Sequence, residues 1–173
     1  MIATVELPPH LKQLLREEAL RAAPRECCGL LEGAVDGSAI RVAALHPVAN
    51  IANEADRFEI DPAGHIALLR ELRGTERRII GCYHSHPNGR AAPSARDCEG
   101  AVEPDFLWLI CAIDNGRQAT GVAAYVSDGQ MLMGVPVASV TGTERRPGHI
   151  AEGEPASEPV MVPGVDRITA PLL

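Results

Sequence analysis

A chain of 173 residues is long enough for one domain with a sizeable core, with or without a tail. Its 46% hydrophobic and 23% charged residues are ordinary for a soluble globular protein, but aromatics are only 3%, so the core must be built from Ala, Val, Leu and Ile. Lys+Arg number 16 against 23 Asp+Glu, a net charge of −7, which excludes the phosphate-neutralising excess and the stacking platforms of a nucleic-acid binder.

Pro8 and Pro9 suit a helix start, and Leu11, Leu14, Leu15 and Ala19 recur on one face of a helix that ends before Pro24. Cys28 to Leu31 reads as a short buried strand stopped by Gly33. Gly37 marks a turn, and Ile40 to Leu45 reads as the hairpin partner. Phe58 to Ile60 reads as another short strand. Asp61-Pro62 opens a second helix, with Asp as cap, a stripe of His65, Leu68, Leu69 and Leu72, and a stop at Gly74. The continuous apolar run Ile79 to Tyr83 predicts a central strand covered on both faces. Ser94 opens a short third helix. Phe106 to Ile113, Gln118 to Val126 and Met131 to Val137 predict three more strands, joined by turns at Asn115-Gly116 and Asp128-Gly129.

From Thr141 the composition changes. Prolines at 147, 155, 159, 163 and 171 interrupt any periodicity, which predicts a tail over 141–173 after a domain over 1–140. No basic run points to a membrane surface, and no apolar stretch is long enough to span a bilayer. No charged start followed by an apolar run marks a signal peptide. The five cysteines therefore predict free thiols in a cytoplasmic protein.

The chemistry centres on His84-Ser85-His86-Pro87, followed by Ser94 and Asp97. Two histidines two apart on a strand share one side of it. Ser94 and Asp97, three apart, share one face of a helix start. Two nitrogens and a carboxylate oxygen converging on a point, with a fourth position left for water, are the ligand pattern of a catalytic zinc site. The competing explanation of Ser94-Ala95-Arg96-Asp97 is a helix capping box. Hydrolysis also needs a proton carrier outside the metal shell. Spacing alone leaves Glu26, Glu32, Glu54 and Glu59 open for that role. His10, His46, His65 and His149 have no partner spacing that makes them ligands. Cys27, Cys28 and Cys82 are near the site in sequence, and the simplest account of them is small buried apolar side chains.

The ordered set of an upstream Glu, H-S-H-P, seven residues counting that Pro, S, two residues and D resembles the JAMM (MPN+) metalloprotease family. The words P-R-E-C-C-G-L-L-E-G and G-C-Y-H-S-H-P resemble its small prokaryotic, sulfur-carrier-associated branch. The resemblance covers roughly residues 1 to 140 and is most specific around 81–97. It implies a deaminase-like MPN/JAMM fold, a three-layer α/β/α domain with a mixed sheet. It also implies Zn2+ on His84, His86 and Asp97, with Glu26 as the proton carrier and Ser94 as a hydrogen-bond donor to the oxyanion. The implied activity is a peptidase or isopeptidase. Its substrate would be a ubiquitin-like sulfur-carrier protein, cut after the C-terminal Gly-Gly, for example to release cysteine. Two other readings are a JAMM-type peptidase on cell-wall or phage-tail peptides and a non-catalytic MPN scaffold. A zinc deaminase would need H-x-E or C-x-E with P-C-x-x-C, and neither is present.

Overall fold

The structure is a computed structural model that describes residues 1–114 and 117–140. Its elements are β1 (Thr4–Glu6), α1 (Pro9–Ala22), β2 (Cys28–Asp36), β3 (Ala39–Val48), α2 (Pro62–Glu71), β4 (Arg78–His86), α3 (Ala95–Gly100), β5 (Leu107–Asp114), β6 (Gln118–Ser127), β7 (Leu132–Val135) and β8 (Val137–Ala138). The expected tail over 141–173 and the Asn115-Gly116 turn lie outside the described residues.

One mixed sheet runs in the order β7-β6-β5-β4-β2-β3-β1-β8. β4 sits in its middle, parallel to β5 and antiparallel to β2. β7 and β8 lie at opposite edges, yet only Pro136 separates them in sequence. The sheet must therefore curl until its edges meet.

α1 packs on β3, β5 and β6. Its Leu11, Leu15 and Ala19, at positions i, i+4 and i+8, join Leu31, Tyr83, Leu107, Leu109, Cys111 and Ile113 in the main core. Cys82, one residue from Tyr83, belongs to a second cluster with Trp108 and Ala101, against which Phe58 and Ile60 pack. Alternation along β4 thus assigns the two clusters to opposite faces of the sheet. α1 covers one face; α2 and α3 flank the other, and that is the face carrying His84 and His86. The α/β/α layering follows.

Several expectations need correction. β2 runs on through Gly33 to Asp36 instead of stopping. The sheet has a bulge between Glu32 and Gly33, and a Cβ at Gly33 would collide with the Arg41 carbonyl. The glycine allows this close approach and does not end the strand. Phe58 to Ile60 is not a strand; only an isolated bridge joins Ile60 to Asn50. Met131 to Val137 is divided at Pro136, which has no N–H for a ladder. β1 was not anticipated, because three residues show no periodicity. On α1, Leu14 is exposed, and on α2 only Leu68 of the expected stripe is buried while Leu69 is exposed.

Candidate metal centre

β4 ends on His84 and His86, both pointing to the α2/α3 face of the sheet, with ring centroids 4.7 Å apart. α3 brings Asp97 to them. Ser94 caps that helix: its Oγ accepts from the Asp97 N–H at 3.2 Å, and Asp97 Oδ2 accepts from the Ser94 N–H at 2.6 Å. The capping box suggested by the sequence is therefore real, and it is compatible with a metal site. The cap fixes Asp97 with its Oδ1 3.3 Å from His84 Nε2 and its Oδ2 3.4 Å from His86 Nε2. Ser94 Oγ accepts within the cap, which leaves its own hydroxyl proton to donate elsewhere, and the residue lines the adjoining cleft.

Glu26 arrives on the segment leading into β2. Its Oε1 lies 4.0 Å from His86 Nε2. Among the described residues, Glu26, His84 and His86 form a group whose ligand atoms all lie within 4.8 Å of one another. Asp97 approaches both imidazoles more closely than Glu26 approaches His86. All four residues are buried, at 6% exposure or less. Glu32 lies instead within β2, bonded to His46 of β3 and to Arg77 just before β4. Glu54 lies on an exposed loop, and Glu59 lines the cleft.

The donor set fits a cation. His86 Nδ1 lies 3.0 Å from the Arg90 carbonyl, which can only accept, so Nδ1 carries a proton. In neutral His86 the Nε2 then presents a lone pair. That lone pair faces His84 Nε2 at 2.9 Å and the Asp97 carboxylate. Ligand atoms packed this closely in a buried site can share one cation, or a proton on His84 Nε2. Tetrahedral zinc with ligand bonds of 2.0–2.2 Å separates neighbouring donor atoms by about 3.4 Å. The two His–Asp distances match that edge. Glu26 at 4.0 Å stands further out, in reach of a water beside the site.

The electrostatics separate the two imidazoles. Burial lowers the His84 pKa and outweighs Asp97, which favours the neutral ligand form. Burial also acts to lower His86, but Asp97 and Glu26 reverse it and leave the group raised. Burial alone would raise Asp97; its bonds to the two histidines hold it well below the carboxylate range. Burial pushes Glu26 up to about 7, against the opposing effect of His86.

A cleft of about 520 Å³ opens from this centre along β4. Cys82, Phe58 and Trp108 line its apolar part; His65, Glu99 and Glu103 come from the flanking helices and the turn after α3. Phe58 stacks on His84 with centroids 4.3 Å apart and 20° between planes. The sequence reading missed Phe58, Asn50 and the Arg90 carbonyl. Contacts of this kind come from loops and carry no periodic signal. Cys27, Cys28 and Cys82 are buried, as expected; Cys111 is buried too, and Cys98 is exposed. Burial pushes Cys27 and Cys28 up to about 12 and Cys82 well above its usual value, so these thiols stay protonated.

Residues 8–126 match the pattern of Prok-JAB, the prokaryotic homologs of the JAB domain. The chain belongs to this family. It is the prokaryotic JAMM/MPN group that the motif resembles. The chain is 40% identical over 105 residues to a desampylase of Haloferax volcanii, covering 60% of this chain and 74% of that protein. It is 29% identical over 109 residues to a desampylase of Pyrococcus furiosus, covering 62% and 74%. A probable TtuB-protein conjugate cleaving protease of Thermus thermophilus is 34% identical over 99 residues, covering 55% and 62%. A solution structure from Desulfitobacterium hafniense, 24% identical, superposes with a TM-score of 0.72 over 84% of this chain and 99% of its own; it shares the fold. One from Salinibacter ruber, 29% identical, gives 0.60 over 83% and 95%.

Proposed function

We propose that this chain is a zinc-dependent peptidase or isopeptidase, which hydrolyses the amide bond after the C-terminal Gly-Gly of a ubiquitin-like sulfur-carrier protein. The observation that carries the reading is the closed triangle of His84, His86 and Asp97, with Glu26 one step outside it. In this reading His84, His86 and Asp97 hold Zn2+. The ion, when bound, supplies Lewis acidity to the scissile carbonyl and acidifies water to a pKa of about 7.

Glu26 accepts a proton from the attacking water as its oxygen bonds to the carbonyl carbon. As the C–N bond breaks, Glu26 returns that proton to the leaving amine. The free Ser94 hydroxyl proton donates to the carbonyl oxygen as charge develops on it, a contribution of about 3 kcal/mol for a well-placed donor. The cleft of about 520 Å³ adjoins the site, and glycine needs the least room beside the buried ligands.

The substrate class is supported by the relatives, two desampylases and a probable TtuB-protein conjugate cleaving protease. Release of a single amino acid such as cysteine is one form of the reaction; release of a lysine-linked protein is another. A cytoplasmic location is part of the same reading, and no helix among the described residues is long and apolar enough to cross a membrane. The scaffold reading is disfavoured, because all five motif residues are present and His84, His86, Asp97 and Glu26 are assembled in one buried site.

The test is to incubate the zinc-loaded protein with a carrier–cysteine conjugate, a carrier–lysine isopeptide and an unrelated peptide. Release from a carrier conjugate alone is the expected result. Cleavage of the unrelated peptide with both conjugates left intact would reject the carrier and favour a different peptide substrate, and absence of stoichiometric zinc would favour the scaffold.

A further inference from the structure

The residues linking β3 to α2 form one wall of the cleft, contributing Asp56 to Ile60, yet have no regular structure. Residues 53–57 are exposed, and Ala52 is the one buried apolar residue before Phe58. A segment with so little apolar burial is ordered by its polar ties. These ties converge on the two residues around the proposed base. Arg25 donates to the carbonyls of Ala52 and Asn53. The Glu26 N–H donates to the Ala55 carbonyl at 3.2 Å.

Asn50 is the hub. Its Nδ2 donates to the carbonyls of Glu26 and Arg57, both at 2.9 Å, and its Oδ1 accepts from the N–H groups of Ala52 and Glu59, both at 3.0 Å. Two donated and two accepted bonds use both amide hydrogens and both lone pairs. Both peptide groups of Glu26 are thereby fixed, the N–H by Ala55 and the carbonyl by Asn50. Ser85 holds the next residue, accepting from the Cys27 N–H at 2.9 Å and donating its own N–H to the Cys27 carbonyl at 3.1 Å. The same Asn50 amide also anchors both residues beside Phe58, whose ring stacks on His84. No other side chain supplies this pattern: Asp lacks the donors, Gln is longer, and Ala has neither group.

We propose that Asn50 is a positioning residue, which acts through Glu26 by locking the base segment to the cleft wall. This rests on the hydrolytic reading above. The experiment is a double-mutant cycle on the zinc-loaded full chain: wild type, Asn50→Ala, Glu26→Gln and the double variant, assayed on a carrier conjugate, with zinc content measured for each. Asn50→Ala is expected to keep its zinc and lose about 10- to 100-fold, mainly in kcat, as a displaced base does. In the Glu26→Gln background the same change is expected to cost less than about twofold, since the group it positions is gone. An equal loss in both backgrounds, or no loss at all, overturns the proposal. Should Asn50→Ala fail to fold, Asn50→Asp replaces it in the cycle; it keeps the two accepted bonds and is expected to lose kcat in the same way. Should the wild type cleave only the unrelated peptide, the cycle is run on that peptide; should it cleave neither, the hydrolytic reading fails, and amide hydrogen exchange decides the positioning claim. The Glu26 amide is then expected to lose protection in either Asn50 variant, joined in Asn50→Ala by those of Ala52 and Glu59, and an unchanged Glu26 amide overturns it.

Discussion

In the proposed reading, residues in the buried centre divide into those that hold a cation and those that serve the chemistry beside it. This division predicts different phenotypes. Asp97→Asn removes the charge that balances two imidazoles and should abolish stoichiometric zinc binding, read by metal analysis, along with hydrolysis. Glu26→Gln keeps the shape and leaves the triangle of ligands intact, so zinc should be retained while kcat falls by about 100-fold or more, the range of general acid–base contributions. Zinc loss in Glu26→Gln would place Glu26 among the ligands, as its grouping with His84 and His86 allows.

Glu32 carries a prediction of a different kind. Burial raises its pKa, but Arg77 and His46 outweigh burial, and the net result is lowered. A lowered carboxylate contributes stability at pH values above its unfolded pKa of about 4.3, and loses it as pH falls through the folded value. Glu32→Gln should therefore melt below wild type at pH 7, with the gap closing in acid below about pH 4. A constant gap in Tm between pH 7 and pH 3 would show that the pair contributes nothing through charge.

At the scale of elements, the short α3 shows how a local rule serves a distant site. Six residues are too few to hold a helix by propensity, and the Ser94–Asp97 box supplies the missing partners at its N-terminus. Ser94→Ala should cost about 1 kcal/mol as a lost cap, a Tm shift of about 2–4 °C in a chain of this size. It should also reduce kcat, because the cap orients Asp97 and because the hydroxyl proton is lost. Ser94→Thr keeps an oxygen that caps and a hydroxyl proton that donates, so it should recover both the melting temperature and kcat.

The same comparison of elements shows what the sequence could reveal. His84, His86, Ser94 and Asp97 were legible because each pair lies within one element, where strand or helix periodicity dictates which side chains converge. β4 was legible because a central strand is apolar on both faces. The position of Glu26 depends on strand pairing between β2 and β4, so spacing could not separate it from the other glutamates. Phe58 and Asn50 act from an irregular connection, where no period exists to be read. The misjudged glycine at 33 has a related cause: a bulge and a strand end look alike until the partner strand is known.

At the scale of the whole molecule, the curled sheet brings its two edges together within the described residues. Pro136 carries the chain from the β7 edge to the β8 edge, and β8 then pairs with β1. Among the described residues, both core clusters lie between Ile2 and Val137. The family match covers 8–126, within the same span. A chain ending at residue 140 should therefore fold cooperatively, bind zinc one to one and cleave a minimal carrier conjugate with unchanged kcat. Circular dichroism, metal analysis and the hydrolysis assay on the shortened chain beside the full one provide the comparison. If the shortened chain bound zinc normally but showed a raised KM, residues 141–173 would have a part in substrate binding; if it failed to fold, the domain boundary would lie beyond 140.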